Sequence, residues 1–187
     1  MVTTVSYGNK LRCDHKIEVS NNKAGLKMAL LTDSGRAAVA TSIKQNPIHL
    51  AWGTGSVDWD ASQPPESIGT STLLAEVGRR KVTQAMFCTP HPLGEIVVSQ
   101  GRFSLSSEAT NYLYLRFAFD FLDAQDATIR ELGVFVGTEA KSTTPEGQDY
   151  LLPEDIEDPG TMLVLEYIEK LVRSPQNRQQ FEFVVQF

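Results

Sequence analysis

No stretch of this 187-residue chain approaches the roughly 18 uninterrupted apolar residues that would span a bilayer. The N-terminus, MVTTVSYGNK, has no basic region followed by an apolar one. Neither membrane insertion nor a secretory signal is therefore expected, and the chain is expected to be made in a cytosol. Cysteine is scarce: Cys13 and Cys88 lie far apart, with no CxxC spacing and no histidines at metal-site intervals, so both are read as buried free thiols. The three histidines, His15, His49 and His91, fall in separate segments without an HxxxH or HExxH arrangement, which argues against zinc. His91, between two prolines, is read as a rigid turn residue. Basic charge is also thin, at 17 Lys and Arg against 23 Asp and Glu, and Arg79, Arg80 and Lys81 form the only basic run. The remaining surface would repel phosphate, so nucleic acid is not an expected partner.

Reactive motifs are missing too. GTGS at 53–56 lacks the Gly-Lys-Ser/Thr ending of a phosphate loop and is read as a turn. No serine sits in a GxSxG elbow and no carboxylates stand out as an acid and base couple. Asp58, Asp60 and Glu66 share a loop, but a calcium loop needs more oxygen ligands and a glycine at the bend. The run Glu154, Asp155, Glu157 and Asp158 is read as a solvated excursion. The expectation is a non-enzymatic chain with no catalytic residue, no cofactor and no metal.

What is present is strand pattern. In YLYLRFAFDF, Tyr112 to Phe121, the residues Leu113, Leu115, Phe117, Phe119 and Phe121 occupy every second position, all on one face of an extended strand. The opposite row carries Tyr112, Tyr114, Arg116, Ala118 and Asp120. One face belongs in a core and the other at a boundary or contact surface. With 41% hydrophobic and 21% charged residues, the composition is that of an ordinary folded protein, and the length suits one core. The fold class expected is mainly β with one short α-helix: an antiparallel β-sandwich with extended arms.

Along the chain, residues 1–30 alternate weakly and are expected to form an extended N-terminal arm. Thr32 or Asp33 is a candidate N-cap for a helix over SGRAAVATSIKQ, with Val39 and Ile43 on one side and an end before Asn46 and Pro47. IHLAW at 48–52 reads as a strand, and 53–72 as loop held extended by Pro64 and Pro65. Strands follow at 79–88, with Val82, Met86 and Cys88 on one face, and at 95–105, with Val97, Phe103 and Leu105 on one face and Gly101 a candidate bulge. The strands at 112–121 and 128–137, joined by DAQDA, are expected to make a hairpin. The helix and sandwich core thus occupy 31–137. Residues 138–160 form an acidic loop excursion, with seven acids against Lys141. Residues 161–187 supply C-terminal strands of the same domain, strand being favoured over a helix at 162–172.

Charge is distributed unevenly. Residues 1–50 hold seven Lys or Arg against three Asp or Glu, whereas 120–169 hold two against thirteen. In a multi-copy assembly such ends favour head-to-tail contact. Glu76 in LLAEVGRR and Glu131 in IRELGVF each interrupt an apolar run, so each carboxylate needs a basic partner or backbone donors. Arg79, Arg80, Arg116 and Arg130 are the available partners, within the fold or across an interface. Trp52, Trp59, Tyr112 and Tyr114 offer rings for packing, for an interface or for stacking on a glycan.

The segments IHLAWGTG at 48–55, LLAEVGRRKV at 73–82, LYLRFAF at 113–119 and IRELGVFVG at 129–137, with Leu31, Thr32 and Gly35 before the helix, resemble the N-terminal module of phage tail-collar or tail-fibre proteins and related baseplate proteins. That resemblance implies a virion structural protein of the tail tip or baseplate, with other tail and baseplate proteins and the tail fibre as partners, in a homo-oligomer or multi-copy assembly. The chain departs from the fibre pattern in stopping at Phe187 without a repetitive shaft or tip, so a wedge or adaptor role is expected rather than receptor recognition. The arm, the 56–70 loop and the 139–160 excursion are the expected contact segments. A glycan-binding β-sandwich adhesin is the alternative.

Overall fold

The computed structural model describes residues 29–99 and 101–187. The expected N-terminal arm lies outside the described residues except for Ala29 and Leu30, and Cys13 and His15 lie outside them as well. Helix α1 (Asp33–Gln45) begins at Thr32, whose extended backbone (φ −72°, ψ 162°) lets its side-chain oxygen accept the Gly35 N–H at 3.1 Å. Asp33 in the first turn and Lys44 in the last complement the helix dipole. The helix ends at Asn46, because Pro47 cannot continue it. Its buried face differs from the expected Val39 and Ile43 pair: Ala40 is fully buried and Ile43 half-buried against the core, while Val39 faces solvent. The small Ala40 side chain lets the backbone approach β6 (Tyr112–Phe119) closely.

The strands are β1 (Ile48–Gly53), β2 (Glu76–Lys81), β3 (Gln84–Pro90), β4 (Ile96–Val98), β5 (Gly101–Ser106), β6 (Tyr112–Phe119), β7 (Thr128–Val136), β8 (Glu139–Ala140), β9 (Tyr150–Leu151), β10 (Ile156–Asp158), β11 (Thr161–Val172) and β12 (Gln179–Gln186). They form an antiparallel sandwich of two five-stranded sheets, ordered β11-β7-β1-β2-β9 and β12-β6-β3-β5-β4, with β10 and β8 paired separately. Alternation along each strand sends one row inward. Leu113, Leu115, Phe117 and Phe119 of β6 and Phe181, Phe183 and Val185 of β12 meet Ile48, Leu50 and Trp52 of β1, Leu132 and Val134 of β7, and Val164 and Ile168 of β11. Trp52 is fully buried at the centre, stacked on Phe119 with ring centroids 3.6 Å apart.

Three connections pass between the sheets where local pattern suggests continuity or a hairpin. The expected strand over 79–88 is two strands: β2 pairs with β1, β3 pairs with β6, and the break falls at Val82 and Thr83. Val82 therefore packs on the central core, while Met86 and Cys88 join a second cluster with Tyr114, Val184 and Phe103. Residues 112–121 and 128–137 do not form a hairpin. Their apolar rows bury against one another across the sandwich, β6 pairing with β3 and β12 and β7 with β1 and β11. The 120–127 connection makes the crossing with two non-glycine residues at positive φ, Ala124 (48°) and Asp126 (62°). The turn after Val172 likewise leads from β11 to β12 in the opposite sheet.

Residues 162–172 are strand throughout, within β11. In the β4–β5 pair, Ile96 and Val98 are buried with Phe103, whereas Val97 and Leu105 are exposed, so the expected shared face of Val97, Phe103 and Leu105 is not formed. Gly101 opens β5 at φ 145° opposite Val98. The acidic segment is not wholly an outlying loop: β9 extends the first sheet by pairing Leu151 with Arg79 and Tyr150 with Arg80. Leu151 is buried there, and the Trp52 indole N–H donates to the Tyr150 hydroxyl at 3.1 Å.

Candidate functional site

The charged residues singled out in the sequence fasten loops to the sandwich. Arg79 on β2 is only 1% exposed and grips Glu76 through two bonds, Nε to Oε1 and Nη2 to Oε2, both 2.8 Å. Its Nη1 donates to the Thr138 hydroxyl (2.9 Å) and the Pro159 carbonyl (2.8 Å), and its guanidinium lies over the Phe135 ring. Both ends of the acidic segment, at Thr138 and Pro159, are thus tied to one buried cation. Arg80, the next residue, bonds Asp123 at 2.9 Å, and the same Asp123 oxygen accepts the Asp120 N–H at 2.7 Å. Arg173, also buried, donates to the Asp120 and Asp123 carbonyls, which braces the crossing connection.

Glu131 on β7 is 1% exposed and pairs with no cation among the described residues. Its two oxygens accept the backbone N–H groups of Leu74 (3.0 Å) and Ala75 (2.9 Å), leading the loop into β2. Gly53 makes this possible, because a Cβ there would lie 2.7 Å from the Ala75 carbonyl oxygen and 2.9 Å from Glu131 Cδ. Arg130, beside it, forms a two-bond pair with Asp60 (2.7 and 3.0 Å) and reaches the Thr54 carbonyl at 3.1 Å. Asp60 also meets Lys170 at 3.4 Å, and the bonds from Arg130 first, then Lys170, hold its carboxyl down at about 2. Trp59 packs on Tyr167 with centroids 4.6 Å apart, over Gly55, whose φ of 55° suits glycine.

The remaining expected residues are less connected. Tyr112 is half-buried against Phe103, and Tyr114 is buried, its hydroxyl pushed up to about 12 chiefly by that burial. Arg116 stands opposite Glu182 and Gln84 in the register, with its Nε buried and without a hydrogen-bond partner among the described residues. A cleft of about 500 Å³ opens between Pro90, His91, Arg102, Tyr112, Val184 and Gln186. His91 is exposed, and its Nδ1 accepts the Leu93 N–H, in keeping with a turn role. Burial raises the Cys88 thiol to about 12, so it is un-ionised and inert. Among the described residues no group of three or more His, Cys, Asp or Glu is placed to hold a metal ion, and no helix is long and apolar enough to cross a membrane.

The Glu76 and Arg79 partnership is among the pairings expected from the sequence, whereas the anchoring roles of Asp60, Asp123, Thr138 and Tyr150 are not. Asp60 carried one usable signal: it lies in a stretch with no Lys or Arg between Lys44 and Arg79, so any pairing had to reach another segment. The loops so fastened display apolar side chains outward. Val57, Ile68 and Leu74 are 71%, 84% and 66% exposed along the 56–74 segment, and Phe121, Leu122 and Val172 are exposed at the crossing connection and the end of β11. A model of the family described as baseplate wedge 3 tail fiber network component matches residues 28–187. No curated protein matches the chain.

Proposed function

The chain belongs to the baseplate wedge 3 tail fiber network component family, and from that membership we propose that it acts without catalysis, as a wedge component or adaptor that attaches tail fibres through protein–protein interfaces. A baseplate component belongs to the virion tail. The observation that carries the proposal is the contrast within single loops. Residues 56–74 are pinned from beneath by the Asp60–Arg130 pair and the Glu131 carboxylate, yet they turn Val57, Ile68 and Leu74 to solvent. Ion pairs that hold a loop in place while it exposes apolar side chains supply a preorganised contact surface, which lowers the ordering cost of binding. The acidic segment, anchored by Arg79 and exposing Glu154, Glu157 and Asp158, supplies a charged surface suited to a basic neighbour, including a second copy.

The glycan-binding alternative asks for exposed flat rings. Trp52 and Tyr114 are buried, Trp59 is packed on Tyr167 and Tyr112 is half-buried, so these rings serve packing better than stacking. The experiment is co-purification of the chain with its neighbouring baseplate and fibre proteins, beside a Val57→Asp/Ile68→Asp variant. The proposal expects a complex that the variant weakens at least about tenfold while keeping its thermal transition, a loss in line with removing central apolar anchors. A chain that stays apart from those proteins, or a variant that binds them equally well, would count against it.

A further inference from the structure

The cleft of about 500 Å³ on β5, β6 and β12 has an apolar lining and a cation. Phe103 and Val184 are buried in it, and Tyr112 is half-buried against the Phe103 ring. Pro90, His91 and Pro92 make one wall. Gly94 keeps that turn close, because a side chain there would run into the Phe103 backbone. Arg102 also lines the cleft and is exposed; its Nη1 donates to the Gly94 carbonyl at 3.2 Å, and it pairs with no carboxylate among the described residues. Glu95, beside the same turn, is engaged by the Leu105 N–H at 2.9 Å. An apolar lining next to an unpaired guanidinium suits an apolar side chain with a carboxylate close by.

The same chain displays that combination on its acidic segment, at Leu152, Pro153 and Glu154. Leu152 is exposed, and the exposed Glu154 carboxylate makes no ion pair among the described residues. The turn is held in shape. The Asp155 carboxylate accepts the Leu152 N–H and the Gln148 amide, both at 3.0 Å, and Lys141 Nζ donates to the Glu154 carbonyl at 2.7 Å. The turn packs on β2 in one sheet, whereas the cleft is built from strands of the other sheet and the 90–92 turn, so the two do not meet within one molecule.

We propose that the 152–154 turn of one copy docks in the cleft of a second copy, with Leu152 against Phe103, Tyr112 and Val184 and the Glu154 carboxylate on Arg102. The contact rests on the assembly role proposed above, to which it adds the partner of the acidic surface. Turn and cleft are different patches, so the contact is heterologous and repeats from copy to copy, closing into a ring or running on as a chain. A preshaped turn lowers the ordering cost of docking. One turn in a cleft covers less than the roughly 1,200–2,000 Å² of a standard stable interface, so isolated chains should associate weakly, and more firmly where other contacts hold the copies together.

The test is sedimentation equilibrium of the full chain up to about 0.5 mM, a range that registers weak association. Wild type is expected to self-associate. Arg102→Glu and Glu154→Arg, both at exposed positions, should each weaken self-association at least about tenfold, because each variant alone brings like charges together. An equimolar mixture of the two should recover it, since opposite charges then meet wherever unlike copies touch. Leu152→Asp should weaken it at least about tenfold by removing the apolar tip. A monomeric wild type, a mixture no more associated than its separate variants, or a Leu152→Asp variant that associates as wild type does would each overturn the proposal. Wild type that joins the baseplate and fibre proteins but shows no self-association overturns this contact alone. Failure to join those proteins tells against the assembly role.

Discussion

Glu131 and Gly53 are register partners on β7 and β1, and the Glu131 carboxylate fills the space where a side chain on Gly53 would stand. The pair explains why two short motifs distant in the chain belong together. The glycine that ends β1 leaves room for the acid of β7 to bind the backbone that opens β2.

Gly53→Ala should therefore destabilise the fold by about 1–3 kcal/mol, the range for forcing extra carbon into a packed site. Glu131→Ala should cost a comparable amount by leaving two amides without acceptors, and Glu131→Gln should cost less because one acceptor remains. Urea unfolding midpoints of the three variants check the order. Wild-type stability in Gly53→Ala would contradict it.

Arg79 is the second point of leverage. Arg79→Ala strands Glu76 and releases Thr138 and Pro159, an expected loss of about 3–5 kcal/mol. Arg79→Lys cannot reproduce the two-bond grip on Glu76 and should be nearly as damaging. Limited proteolysis should show cleavage within 139–158 rising in both variants before the rest of the sandwich is cut.

Stability should respond to pH through two opposed groups. His49 is held down to about 4, first by burial and then by the charges of Arg79 and Lys81. Its contribution is complete above the unfolded value of 6.5 and is lost as pH falls toward 4, by up to about 3 kcal/mol. Glu166, raised from 4.5 to about 7, works in the reverse sense and loses stability as pH rises through that window. The two offset each other in the wild type. Glu166→Gln should uncover the His49 effect as a rise in unfolding free energy from about pH 4 to 6.5, and a further His49→Gln change should flatten it.

Cys88 is fully buried with its thiol raised to about 12, so it should resist alkylation at about pH 8 in the folded chain and react once urea unfolds it. Peptide mass mapping after timed iodoacetamide labelling checks this. Rapid labelling of Cys88 without denaturant would show that the cluster around it is open.

Local order is legible in the sequence where one residue type decides it. Thr32 and Pro47 bound the helix, and the alternating rows of β6 and β12 face the core as their spacing requires. Alternation tells which face of a strand is buried but not which strand lies beside it. The crossings at Val82–Thr83 and at 120–127 therefore read, from local pattern, as a continuous strand and a hairpin. At the site, Arg79 is three residues from Glu76, and short-range pairing is within view. Asp60 and Arg130 are 70 residues apart, and Glu131 meets backbone amides that carry no sequence signature. Contacts of that kind follow from the sheet order, which composition and spacing do not encode.

The proposed assembly role requires this sandwich to bind its neighbours through loops anchored from beneath. The most direct measurement is the mass of complexes formed when the purified chain is mixed with the adjoining baseplate and fibre proteins, read by light scattering after size-exclusion chromatography. A joint species is expected with wild type and is expected to be lost with Val57→Asp/Ile68→Asp, although the variant keeps its thermal transition. Wild type eluting alone as a monomer, or a joint species unaffected by the variant, would contradict it.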